Sequence, residues 1–205
     1  MTDLGFHYRM EPGEGSGTML LLHGTGGDES DLLPLGRSLA PDATLLSVRG
    51  RVLEQGMPRF FRRLAPGVFD EEDLHRRTDE LAAFVRAAAA EHGLDPAQID
   101  ALGYSNGANI AASLLLLHPG LLRRAVLLRA QLPLAPEAPV DLRGARVLIA
   151  AGRTDPQIPA AEAQALADAL QACGADVELH WADAGHALGM EEIDAAREWL
   201  GRTRG

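Results

Sequence analysis

Seven short apolar runs recur along this chain, at residues 6–10, 19–22, 44–48, 99–102, 125–128, 147–151 and 177–181. Amphipathic stretches and Gly-, Pro- and Asp-containing joints separate most of them, the βαβ pattern of a mostly parallel sheet. The expected class is α/β, with about seven strands flanked by helices. Residues 11–17, Glu-Pro-Gly-Glu-Gly-Ser-Gly, are rich in turn formers and predict an antiparallel edge hairpin between the first two runs. Helices follow from a period near 3.6. Leu74, Thr78, Leu81 and Val85 share a face of the segment 72–91, and Ala163, Leu166 and Leu170 share another. Ile193, Ala196 and Trp199 mark a terminal helix, while 105–118 is apolar nearly all round and predicts a buried one. Residues 49–70 show no regular period and read as a long loop, a length that is usually functional or disordered.

With 205 residues, 46% hydrophobic and 23% charged, the chain suits a single domain spanning 1–205 with a substantial core. A formal net charge of -10 argues against nucleic acid, whose binding requires clustered cations that release counterions. All 19 basic residues are Arg and none is Lys, which excludes Schiff-base chemistry, pyridoxal phosphate attachment and a Walker-type phosphate loop. Cys173 is the only cysteine, so no disulfide closes within the chain and no Cys-rich metal site is available. The first ten residues lack the apolar core of a signal peptide, and no run approaches the ~20 apolar residues of a membrane span. A cytoplasmic protein without a membrane span is expected.

Gly103-Tyr104-Ser105-Asn106-Gly107 matches G-x-S-x-G, a pattern weak by itself. Its context is more specific, because the pentad directly follows the run 99–102 and directly precedes the apolar helix. Strand, sharp turn and helix together lift a serine hydroxyl above a sheet, and side chains at Gly103 or Gly107 would collide with neighbouring elements. The alternative is an ordinary turn in which Ser105 caps the helix. A serine nucleophile needs a base held by a carboxylate, in the chain order Ser, acid, His for this arrangement. His186, in the loop after the run 177–181, is the expected base. His7, His75, His92, His118 and His180 fall within strands or on helices and read as surface or structural residues. Asp155 lies just past the run 147–151, where open α/β sheets place their sites, and is the expected acid. Asp183 is the rival, although it shares the loop of His186 and would need a sharp fold-back to meet its ring.

Donors for a tetrahedral oxyanion are expected from the backbone N–H of Asn106 and from the Gly-rich loop 24–27, most directly Thr25. That loop makes a poor phosphate cradle, since G-x-G-x-x-G is not completed. His23 reads as a buried hydrogen-bonding residue that shapes the loop, with a second base or a substrate contact as alternatives. Spacing alone does not exclude a metal on His23, Asp155 and His186, but the serine between them argues against it, and no metal is expected. Phe60 and Phe61 either offer apolar contact to substrate or anchor the 49–70 loop, and Arg59, Arg62 and Arg63 either bind a substrate carboxylate or pair with the acidic surface.

These residues, with the stretches Leu21-Leu22-His23-Gly24-Thr25-Gly26-Gly27-Asp28-Glu29, Arg59-Phe60-Phe61-Arg62-Arg63, the pentad continued through Ala111, and Gly185-His186, resemble the phospholipase/carboxylesterase family of α/β-hydrolases. That family also includes acyl-protein thioesterases. The stretches are most similar to a bacterial branch of small esterases, some linked to hydroquinone and quinone stress. The resemblance covers nearly the whole chain and implies an α/β-hydrolase fold without a large cap domain. It also implies hydrolysis of short carboxylic esters through Ser105, Asp155 and His186, no cofactor, and a homodimer. An acyl thioesterase or lysophospholipase-like enzyme is the neighbouring alternative; a non-catalytic ligand-binding protein on the same fold is the distant one. The chain departs from the branch at Gln131, where a Met or similar apolar residue is expected. Gln131 follows the run 125–128 and points either into the acyl pocket or to the surface.

Overall fold

The computed structural model describes residues 4–136 and 140–203. Its elements run β1 (Tyr8–Glu11), β2 (Thr18–Leu22), α1 (Leu33–Leu39), β3 (Thr44–Val48), β4 (Val52–Glu54), β5 (Met57–Arg59), β6 (Arg63–Ala65), β7 (Val68–Phe69), α2 (Glu71–His92), β8 (Ile99–Tyr104), α3 (Asn106–Leu117), β9 (Arg124–Leu128), β10 (Arg146–Gly152), α4 (Ala160–Ala172), β11 (Asp176–Ala182) and α5 (Met190–Arg202). Seven strands form one sheet in the order β1-β3-β2-β8-β9-β10-β11. All neighbouring strands are parallel except β1, which lies antiparallel on β3. The mostly parallel sheet flanked by helices is the predicted class, and no large cap domain covers it among the described residues.

The apolar runs are continuous because the central strands are buried on both faces. Successive side chains of β2 serve opposite layers. Leu20 and Leu22 join the core under α2, α3 and α4, whereas Met19 and Leu21 join the core under α1 and α5. The α3 segment from Asn106 to Leu116 is buried along its length, as its all-round apolar character predicts. Helix α2 starts where the Asp70 carboxylate accepts from the Asp73 amide and stops at Gly93, in the left-handed region.

Three expectations are corrected. The first two runs do not form a hairpin: β3 inserts between them, and Tyr8 to Glu11 pair in register with Val48 to Leu45. The strand remains an antiparallel edge, but its partner is distant in sequence, beyond what a turn signal can report. Residues 49–70 are not an irregular loop; they fold into two antiparallel ribbons, β4 with β5 and β6 with β7, with strands of two or three residues, too short for a period to show. Helix α1 was not expected either, since its seven residues include Pro34 and Gly36 and carry little periodic signal. Among the described residues no helix is long and apolar enough to cross a membrane.

Candidate active site

Strand β8, at the centre of the sheet, is followed directly by Ser105, whose backbone sits at φ 52° and ψ -115°. A non-glycine residue at positive φ is strained and persists only where its surroundings impose it. Here the Ser105 amide donates to the Leu128 carbonyl at 2.8 Å, and its carbonyl accepts from Asn109 at 3.0 Å. The flanking glycines allow the turn to pack. A Cβ on Gly103 would lie 2.6 Å from Ala108 Cα, and one on Gly107 would lie 1.9 Å from the Leu22 carbonyl oxygen. Ser105 precedes α3 but its side chain makes no capping hydrogen bond, so the helix-cap alternative fails.

Its Oγ lies instead 3.0 Å from His186 Nε2. On the other side of the ring, Nδ1 lies 2.8 Å from Asp155 Oδ2. An ionised carboxylate only accepts, so this contact assigns the proton to Nδ1 and leaves Nε2 to accept from the serine hydroxyl. Asp155, just beyond β10, is held by its second oxygen, Oδ1, which accepts from the amides of Gln157 at 2.8 Å and Ile158 at 3.1 Å. Asp183 does not compete: its side chain is 88% exposed and pairs with Arg153. His23, Asp155 and His186 do not assemble as a metal-binding group among the described residues.

Two residues hold the His186 loop: Tyr104, at a variable position of the serine pentad, and Arg129, which belongs to no motif. The Tyr104 hydroxyl donates to the His186 carbonyl at 3.1 Å, with ring centroids 5.5 Å apart, and burial pushes its phenol pKa up. Arg129, fully buried and at φ 57°, donates to the carbonyls of Gly185 at 2.8 Å and Ala187 at 3.0 Å and pairs with buried Glu192. For Arg129 the sequence signal is a charged residue directly after the apolar run 125–128, which is too common to single out.

Thr25 and Asn106 both line the cleft beside Ser105 and His186. The ribbons of 49–70 are tied to both. Arg59 Nη1 donates to Thr25 Oγ1 at 2.7 Å, the Gly26 amide donates to the Pro58 carbonyl at 2.9 Å, and the Phe60 amide donates to Asn106 Oδ1 at 2.7 Å. Asn106 Nδ2 is buried without a hydrogen-bond partner among the described residues.

The candidate substrate contacts divide. His23, Phe60 and Phe61 are buried and do not line the cleft. The His23 ring stacks at 4.8 Å on Phe60, with Nδ1 2.6 Å from the Gly24 carbonyl and Nε2 accepting from the Gly50 amide at 2.9 Å. Burial lowers its pKa. These three residues therefore shape and anchor the loops, the bulky rings being better accommodated in the core than on a polar cleft wall. Gln131 does line the cleft, with Nε2 donating to the Gly67 carbonyl at 3.1 Å. Arg62 turns away to Asp70 and Asp73, whereas Arg59 and Arg63 face the cleft. The cleft encloses about 530 Å³.

Comparison with known proteins agrees with this architecture. The profile of the phospholipase/carboxylesterase family matches residues 12–203. The chain is 49% identical over 189 residues to MhqD of Bacillus subtilis (strain 168), a hydrolase by name, covering 92% of this chain and 94% of that protein. The crystal structure of the Bacillus cereus carboxylesterase is similar at a TM-score of 0.94 and 48% identity, covering 96% of this chain and 94% of its own. A carboxylesterase from Mesorhizobium loti is similar at a TM-score of 0.93 and 40% identity, covering 98% and 97%. On the match along nearly its whole length, the chain belongs to the phospholipase/carboxylesterase family of hydrolases.

Proposed function

We propose that this protein is a serine carboxylesterase that hydrolyses short-chain carboxylic esters through Ser105, His186 and Asp155, acting as a single α/β-hydrolase domain. The observation that carries this reading is the unbroken relay from Ser105 Oγ to His186 Nε2 at 3.0 Å and from His186 Nδ1 to Asp155 Oδ2 at 2.8 Å. As Ser105 Oγ attacks the ester carbonyl carbon, its proton passes to Nε2, and Asp155 orients and stabilises the imidazolium. The carbonyl oxygen becomes negative and is stabilised by the backbone amides of Thr25 and Asn106. Collapse breaks the bond to the alcohol oxygen, which takes the proton from Nε2. A water then attacks the acyl-enzyme while giving its proton to the same nitrogen; that proton returns to Ser105 as the acid departs. A cleft of about 530 Å³ suits a small ester.

Ser105→Ala is expected to abolish hydrolysis of p-nitrophenyl acetate while leaving the circular dichroism spectrum unchanged, and retained turnover would refute the mechanism. The same groups can cleave a thioester, and rates on matched oxygen and sulfur esters separate the two activities.

A further inference from the structure

We propose that the cleft beside Ser105 selects esters bearing a second, anionic group, a carboxylate on the acyl or the alcohol part, held by Arg63 with Arg59 behind it. This names the substrate class of the esterase site proposed above and rests on that reading. The chain carries 29 acidic residues and a net charge of -10, yet among the described residues none that lines the cleft is acidic, while Arg59 and Arg63 both line it. One carboxylate, Glu54, serves both guanidinium groups. It accepts from Arg63 Nε at 3.0 Å and Nη2 at 2.8 Å and lies 3.2 Å from Arg59 Nε. Two positive charges against one negative charge leave the cleft wall cationic.

Arg59 is 3% exposed, fixed by the Phe61 carbonyl at 3.2 Å and Thr25 Oγ1 at 2.7 Å. Burial and the neighbouring Arg63 both oppose its charge, and an arginine keeps that charge regardless. Such a site is relieved by an anion. Donors are also available to meet one. Among the described residues Arg63 Nη1 has no hydrogen-bond partner, and Asn109, which accepts from the Gln131 amide through Oδ1 at 3.0 Å, has none at Nδ2. A carboxylate is acceptor-only and makes charge-assisted bonds to such groups, whereas a neutral alkyl tail offers them nothing.

The test compares monoethyl glutarate with ethyl valerate, esters of equal acyl length, by acid release in a pH-stat. The quantity read is the ratio of their kcat/KM values, which is insensitive to the fraction of folded enzyme. Wild type is expected to favour the anionic ester by about tenfold or more. Arg63→Gln is expected to lower that ratio about tenfold, and Glu54→Gln, which removes the negative charge shared by both guanidinium groups, to raise it. A purely structural role for these residues would not move the ratio in opposite directions. A wild-type ratio at or below one, or a ratio that both variants leave unmoved, overturns the anionic subsite. Ser105-dependent hydrolysis of ethyl valerate would then leave the esterase reading standing, whereas failure of that reading would show as turnover surviving in Ser105→Ala.

Discussion

Arg129 and Glu192 form an ion pair closed to solvent, their side chains 0% and 1% exposed, and the same guanidinium holds the two carbonyls that flank His186. Burial pushes the Glu192 carboxyl pKa up, but hydrogen bonds from Arg129 and from backbone amides outweigh it and hold it below its usual range. Removing one partner strands the other charge, so Arg129→Met is expected to lose about 3–5 kcal/mol in urea unfolding. The double variant Arg129→Met/Glu192→Leu is expected to recover most of that stability but not kcat, since the Gly185 and Ala187 carbonyls still lack their donor. Recovery of both would show that the pair serves stability alone. For Glu192 the linkage is that of a depressed carboxyl: its contribution is present above pH 4.5 and is lost as pH falls through the lower folded value.

Asp155→Asn and Asp183→Asn distinguish the two candidate acids. Asparagine at 155 can hold the imidazole in the wrong tautomer, and kcat is expected to fall about 10⁴-fold. Substitution of exposed Asp183 is expected to leave steady-state rates at the wild-type level. The reverse order would assign the acid to Asp183.

Gly107→Ala tests the close approach of α3 to β2. Its Cβ would stand 1.9 Å from a backbone oxygen that no rotamer change can move, so unfolding is expected to cost at least about 2 kcal/mol less than in wild type. Unchanged denaturant midpoints would contradict the packing described at the turn.

Much of this site is legible from sequence because its parts occupy strand ends, and strand ends are where Gly and Asp interrupt apolar runs. Ser105, Asp155 and His186 each follow such a run. The pairing of β1 with β3 is not legible, since it joins Tyr8 to Val48 across 40 residues without a turn between them. Phe60 and Phe61 show the same limit at the level of side chains. A residue in a segment whose sequence shows no period can face either way, and tertiary packing turned both rings into the core while leaving Arg59 and Arg63 at the cleft. Arg129 is invisible for another reason: its partner Glu192 and the carbonyls that it holds come from a different loop and helix.

His23 provides a pH test. Burial holds its pKa below the ordinary 6.5, and its Nε2 must stay unprotonated to accept from Gly50. Below pH 6.5 the unfolded chain binds a proton here that the folded chain does not, so stability falls as pH drops through that value toward the folded pKa. The urea midpoint is expected to decrease between about pH 7 and about pH 5, and His23→Gln, which keeps an acceptor but cannot titrate, to flatten that decrease. An identical slope in the variant would place its origin elsewhere.

The central claim is that Ser105 is a nucleophile activated by His186. It is tested most directly by treating the protein with a fluorophosphonate and locating the adduct by peptide mass spectrometry. A single adduct on Ser105, absent from Ser105→Ala and strongly slowed in His186→Ala, is the predicted result. An unlabelled Ser105, or labelling that survives unchanged in His186→Ala, would contradict it.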